Sequence, residues 1–405
     1  MKQELDIETV SGQRHRAAGG ETRSGWATHI SREAVLIVCL VLLAVMFTIT
    51  AIVSRLYHRK IHQLGDQWFA KGDASFRSRN IPTAFIDYRN ALVYSPNNPV
   101  FQLHLAQALA GAGREEEARS YLINLLAESP GAGEINLELA RIAAKEGASL
   151  EAIRYYHSAI YGVWESDPLL RRLQVRRELC QYLLDRGDLN GAQPEIIALA
   201  QEVPPGDIQR EKEVGQFLLR VRLWARALVE FQLILKSNRH DADALEGAGT
   251  AAFRQGQYTQ ALMYFESLSR EKASTQDIAE MFQTARQIKS IDPFLPELSN
   301  DEKAKRTANA LDQAASLATN CAQKRGDSVS GTPPADDLQR LLAANRDMSK
   351  DWSEANLRRH PDQVNAAMLQ VFEMENIAAQ ECGEPTSGPD KVLWLLGHSR
   401  GVPGR

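Results

Sequence analysis

The residues best able to do chemistry are four cysteines and nine histidines, and their spacing is poor for it. Cys39, Cys180, Cys321 and Cys382 contain no CxxC pair and lie too far apart for a zinc site or a dense disulfide scaffold. HExxH, GxSxG, GxxxxGK[ST] and GxGxxG are all absent. His58 and His62 stand one helical turn apart, the spacing for two ligands of one metal, but Arg59 and Lys60 between them fit a solvated stretch better. Glu115, Glu116 and Glu117 open a helix, where negative charge complements the helix dipole. Ala110, Gly111, Ala112 and Gly113 look glycine-rich but fall at a turn between helices. The reading is of no catalytic site, no cofactor and no metal.

Cys321 and Cys382 sit late in one expected helix and just after another. Were those helices antiparallel neighbours, the two sulfurs could pair and close a loop of about sixty residues, contributing ~4 kcal/mol in the chain-entropy picture. The other reading is two small apolar packing residues. Cys180 falls on a small-residue core position and reads as inert.

At 405 residues, with 44% hydrophobic content and a formal charge of −4, the chain is long enough for two or three ordered units. Its charges of both signs are interspersed, which excludes the basic face of a nucleic-acid binder. Residues 34–53 form an uncharged run of twenty, thirteen of them Leu, Ile, Val or Phe. As a helix the run covers about 30 Å, the hydrocarbon thickness of a bilayer, and is expected to be one transmembrane helix. A cleaved signal peptide would have a shorter apolar core nearer the start. Four cations flank each side, Arg14, Arg16, Arg23 and Arg32 against Arg55, Arg59, Lys60 and Lys71, so the positive-inside rule leaves orientation open. A bond between Cys321 and Cys382 would place the C-terminal region outside the cytoplasm. The tail 1–33 lacks apolar periodicity and reads as disordered.

The elements that must position any site come from a repeat. Trp68, Gly72, Ala84, Tyr88, Ala91 and Pro96 are followed 34 residues on by Ala106, Ala118, Leu122, Leu125 and Pro130, then by Ala140, Ala152, Tyr156 and Ala159. Six units align on Ala84, Ala118, Ala152, Ala192, Ala227 and Ala261, with small residues twelve positions upstream at Gly72, Ala106, Ala140, Cys180, Gly215 and Gly249. Paired small residues let two antiparallel helices approach closely. One turn after each second small residue stands a large one, Tyr88, Leu122, Tyr156, Ile196, Phe231 or Phe265. Gly113, Gly147, Gly187 and Gly256 suit the turns, and Pro96, Pro130 and Pro204 the helix stops. The third unit has Trp164 where proline is expected and about six extra residues, 167–172, before the fourth; a bend or lengthened helix is expected near 161–173. The fifth has Arg222 at its turn.

These residues resemble the tetratricopeptide repeat (TPR) family, whose W, G, A, F/Y, A and P positions match Trp68, Gly72, Ala84, Tyr88, Ala91 and Pro96. The resemblance covers about half the chain and implies an α-solenoid that holds protein or peptide partners in a groove lined by the first helix of each unit. Carried onto this sequence, one groove row is Asp73, Gln107, Arg141, Gln181, Gln216 and Thr250, and a second is Arg77, Gly111, Lys145, Asp185, Arg220 and Arg254. Four of the second row are basic, which fits either an acidic peptide or a solvated helix face. The members that clamp C-terminal carboxylates use asparagine in the first row; Asp73 and Gln107 depart from that pattern.

The organisation expected is all-α: a tail over 1–33, a transmembrane helix over 34–53, a juxtamembrane linker over 54–64, repeats over 65–275 and a C-terminal helical region over 276–405. In the last, capping boxes start helices after Ser274 and Ser299, and Ala308, Leu311, Ala315, Ala318 and Ala322 mark one contact face. Further helices are expected over 335–352 and 361–380, and the apolar patch Val392 to Leu396 docks on the protein. The functional reading is a single-pass membrane scaffold, in a bacterial inner membrane with the C-terminal region extracytoplasmic, that organises partner proteins of envelope complexes. Alternatives are that the repeats position a C-terminal enzyme or ligand domain, or that the array serves self-association as a homo-oligomer.

Overall fold

The computed structural model describes residues 32–271, 275–325 and 337–400, and among them there are helices and no strand. The tail (residues 1–31) and the glycine- and proline-rich loop of 326–334 lie outside the described residues. The chain forms two compact parts, Met1–Arg114 and Glu115–Arg405.

In the first part, α1 (Arg32–Arg77) is a single helix of 46 residues. Its apolar stretch is long enough to cross a membrane and is not buried by any other of the described residues. The stretch 54–64, expected as a juxtamembrane linker, is helical and continuous with both neighbours, because no glycine or proline interrupts the chain before Gly65. Gly65 is the first buried residue along α1, and further along Gly72 lies beneath the ring of Tyr88 on α2 (Ile81–Tyr94). Between them Arg79 takes the left-handed conformation, φ 61°. Asn80 caps α2 by accepting from Thr83 N at 3.4 Å, and Asn98 caps α3 (Pro99–Gly111).

In the second part, α4 (Glu115–Glu128) is followed by four helix pairs. They are α5 (Gly133–Lys145) and α6 (Ser149–Ile160), α7 (Pro168–Asp185) and α8 (Leu189–Glu202), α9 (Ile208–Arg220) and α10 (Trp224–Ser237), and α11 (Ala242–Arg254) and α12 (Tyr258–Glu271). The six alanines that align the repeats are fully buried, and the large residues one turn on are all at most 3% exposed. Each such large side chain, removed from water, contributes roughly 1.5–3 kcal/mol. Gly113, Gly147, Gly187 and Gly256 all have φ between 73° and 79°, and Arg222 takes the same turn position at 60°.

The irregular third junction is resolved by Trp164. Its indole N–H donates to Ala159 O at 3.0 Å and its ring fills the space beside Gly133. Gly133 N donates to Val163 O at 2.9 Å, and Val163 N to Gly131 O at 2.8 Å. The extra residues lengthen α7 at its start to 18 residues, against 13 for α5, α9 and α11.

After the repeats come α13 (Gln276–Ile291), α14 (Asn300–Arg325), α15 (Asp337–Asp347), the short α16 (Glu354–Arg359), α17 (Val364–Cys382) and α18 (Gly388–Ser399). The cap of α13 is Thr275, whose Oγ1 accepts from Ile278 N at 3.4 Å, one residue later than the Ser274 start expected; Ser299 Oγ does accept from Glu302 N at 3.2 Å. The contact face of α14 runs through Ala304, Thr307, Ala310, Leu311, Ala314, Ala318, Cys321 and Ala322, leaving Ala308 and Ala315 half-buried on its flank. Beside that face the guanidinium of Arg306 reaches the carbonyls of Lys289 and Asp292 at 3.0 Å and caps the end of α13. The helix expected over 335–352 stops at Asp347, and the apolar patch near the C-terminus is α18, with Val392, Leu393 and Leu396 buried. Cys321 and Cys382 are joined in a disulfide, Cα to Cα 5.9 Å, linking α14 to the end of α17.

Candidate partner-binding cleft

The first helices of the repeats in the second part lie side by side, and acid–base pairs lace them together. Arg141 on α5 makes a two-pronged contact with Glu178 on α7, Nε to Oε1 at 2.9 Å and Nη2 to Oε2 at 2.8 Å. Those hydrogen bonds hold its guanidinium above its ordinary range, and Glu138 adds a further contact at 2.9 Å. Tyr156 donates to the same Glu178 at 3.0 Å; burial, with the nearby carboxylate, pushes the phenol pKa up. Arg177 on α7 donates to both oxygens of Glu213 on α9 at 2.6 and 2.7 Å. Lys212 on α9 reaches Asp241 at 2.8 Å and Asp243 at 3.3 Å at the start of α11.

This arrangement decides what the expected groove residues are free to do. Lys145 pairs with Glu115, and Arg220 pairs with Asp185 at 3.1 Å while Gln181 donates to the same carboxylate at 2.6 Å. Asp73 accepts from Tyr88 OH at 2.8 Å and stands 3.1 Å from His104 Nδ1, so it belongs to the packing of the first repeat. Arg77 is exposed and donates to the carbonyl of Asp73 at 3.2 Å, and Gln107 is half-buried on α3. His62 Nδ1 lies 3.4 Å from Ser95 Oγ, and no group of three metal-ligating side chains forms among the described residues. Of the second-row cations in the second part, Arg254 alone makes no ion pair among the described residues.

Arg254 opens onto a cleft of about 610 Å³ whose walls are α9, α11, α13 and α18. Gln216 and Thr250, both from the first groove row, line it as well. Leu219, Phe253, Ile278, Met281 and Leu395 give it apolar surface, but more of the lining is polar and sets Lys391 and Arg254 beside Glu246, Asp277 and Glu280. Lys391 is exposed and also makes no ion pair among the described residues. Leu395 belongs to the apolar patch expected to dock on the protein, but neither its place in this cleft nor the role of Lys391 could be read from the sequence, because nothing local shows which face α18 returns to. Tyr258 donates to the carbonyl of Leu395 at 3.4 Å, Gln313 to Asp390 at 3.1 Å, and Arg400 pairs with the buried Asp292.

Helix pairs whose small residues, large residues and left-handed turns fall at corresponding positions unit after unit decide the architecture. The fold is of the tetratricopeptide type. No protein-family profile matches the chain, and neither does any curated protein sequence. Solved structures similar to it include the C-terminal part of a TPR repeat-containing protein from Cytophaga hutchinsonii, 16% identical with a TM-score of 0.40, covering 60% of this chain and 86% of that one. PilW, a type IV pilus biogenesis factor, is 16% identical with a TM-score of 0.39, covering 55% and 99%. PilF of Pseudomonas aeruginosa is 16% identical with a TM-score of 0.31, covering 61% and 97%. The burial and turn geometry of this TPR-type array carries the assignment, and these likenesses are too distant to add to it.

Proposed function

We propose that the chain is a single-pass, membrane-anchored TPR-type scaffold that binds segments of partner proteins in the cleft between α9, α11, α13 and α18, and performs no catalysis. The observation that carries this reading is the cleft itself: a largely polar hollow with apolar side chains from four helices, holding two cations without ion pairs among the described residues, where the other second-row cations of the second part, Lys145 and Arg220, are already paired. The apolar side chains in the cleft supply affinity, and its charged groups of both signs fix the orientation of an incoming segment. Arg254, Gln216, Thr250 and Lys391 are the proposed contact residues. Arg141, Lys145, Gln181 and Arg220 hold neighbouring helices at fixed spacing, and Asp73, Arg77 and Gln107 remain candidates on the first repeats.

The anchor is the apolar stretch of α1, which no other described residues cover. The Cys321–Cys382 disulfide supports an oxidising surrounding for the C-terminal region. The reading adopted with it is a bacterial inner membrane with that region extracytoplasmic and a role in organising envelope complexes. The test is crosslinking and pull-down from native membranes with the full chain against a variant carrying Arg254→Glu and Lys391→Glu. Loss of specific partners from the variant supports the cleft. An unchanged partner set overturns it.

A further inference from the structure

Glu375, on α17, lies in the core of the C-terminal region at 2% exposure, and both carboxyl oxygens are buried without a hydrogen-bond partner. A buried carboxyl in that state costs far more free energy ionised than protonated, and a charge there needs water or a donor that the core does not offer. The space next to it is a cavity of about 10 Å³ bounded by Phe372, Glu375, Asn376, Trp394, Gly397 and His398, room for about one water. Three of those residues, Trp394, Gly397 and His398, belong to α18.

The contact between α17 and α18 is close. A Cβ added at Gly397 would lie 2.9 Å from Phe372 Cδ1, so there is no slack for a hydration shell while α18 is seated. We propose that α18 is a proton-controlled latch: with Glu375 neutral it closes on α17 and completes the cleft with Lys391 and Leu395, and ionisation of Glu375 frees it. What the latch controls rests on the cleft reading above; the latch itself does not.

The surroundings of Glu375 favour this direction. Burial, followed by the Asp390 carboxylate, raises its pKa to about 8. From α18 the charged or titratable groups facing it are Asp390, whose repulsion grows when Glu375 ionises, and His398, whose Nδ1 lies 3.0 Å from the Trp394 carbonyl. From α14 and α15 the core receives Ala310, Leu311, Ala314, Leu338 and Leu342, none of which titrates. Among the elements around the cavity, α18 is the one that can yield with least loss. It has twelve residues, is the last described helix, and is held by three buried apolar side chains and a few polar ties.

The experiment is hydrogen exchange of the full chain in lipid nanodiscs at pH 6.5 and pH 9, corrected for the intrinsic pH dependence. Protection over 388–399 is expected to fall at least tenfold in the wild type and to stay constant in Glu375→Gln, with α5 and α6 unchanged in both. A His398→Asn variant is expected to keep the wild-type dependence, which separates the carboxyl from the imidazole. Should Glu375→Gln fold poorly, Glu375→Met fills the same space without a titrating group. Equal protection of α18 at both pH values in the wild type overturns the latch, as does the same fall in the Gln and Met variants. No partner is present in this measurement, so its failure is separate from failure of the cleft.

Discussion

The ring of Tyr88 occupies the space that a side chain at Gly72 would need: an added Cβ would lie 2.6 Å from its Cδ1 and Cε1. The same relation holds for Gly215 beneath Phe231 and for Gly249 beneath Phe265. In these repeats an aromatic residue on the second helix is matched by a glycine on the first. Gly72→Ala is therefore expected to lose about 1–3 kcal/mol through overpacking, read as a lower urea midpoint with an unchanged slope. The loss from Gly72→Ala should be smaller in a Tyr88→Leu background than in the wild type, since the leucine leaves room for the methyl.

Arg222 holds a left-handed turn that glycine holds in four other repeats, with φ 60°. Replacing it by glycine removes the steric cost of a Cβ there but adds freedom to the unfolded chain. The expected balance is a gain of about 0.5–1 kcal/mol, seen as a higher melting temperature. The reverse change, Gly187→Arg, should lower it.

Glu178 accepts two bonds from Arg141 and one from Tyr156 across three helices. Glu178→Gln should cost about 1 kcal/mol, since the guanidinium is half-exposed and keeps access to Glu138. The difference from wild type should shrink as salt is raised, measured by denaturation at low and high ionic strength.

The disulfide closes a loop of 61 residues between α14 and α17. Cys382→Ser is expected to destabilise the C-terminal region by about 4 kcal/mol. Reductant should lower the wild-type denaturation midpoint to that of the variant and leave the variant unchanged.

Glu375 links stability to pH. Its folded pKa of about 8 lies above the ordinary 4.5, so the folded state binds the proton more tightly. Stability should be greatest below pH 4.5 as far as this group is concerned, fall as pH rises towards 8, and level off above. Glu375→Gln should remove that slope, and by pH 8 it should be the more stable protein by roughly 2–4 kcal/mol, at about 1.4 kcal/mol per pKa unit less relaxation. Melting curves of both proteins between pH 5 and 9 measure the difference.

The repeat was legible because small residues, large residues and turn glycines each have a single local cause and recur at a fixed spacing. The helical nature of 54–64 was hidden by its charges, which look like a linker although nothing in them breaks a helix. Trp164 could be seen as an oddity, but its role needed the approach of Gly133 from thirty residues earlier. The pairing of Arg141 with Glu178 and of Arg177 with Glu213 depends on how neighbouring repeats are set against each other, which no periodicity encodes. The cleft was half visible: Gln216, Thr250 and Arg254 lie on the expected rows, whereas Lys391 and Leu395 reach it through a fold-back. Glu375 was silent, because one acid in an amphipathic helix looks like its solvated face.

The unbroken α1 has a geometric consequence for the first repeat. Between Val53 and Gly65 the helix has no joint, so the azimuth of that repeat about the axis and its height beyond the apolar stretch are set together by the number of residues between them. One residue inserted there would turn the repeat by about 100° and lift it by about 1.5 Å, while seven would lift it by about 10 Å and bring it back almost to its original heading. Residue count in this exposed shaft acts as a phase as well as a length.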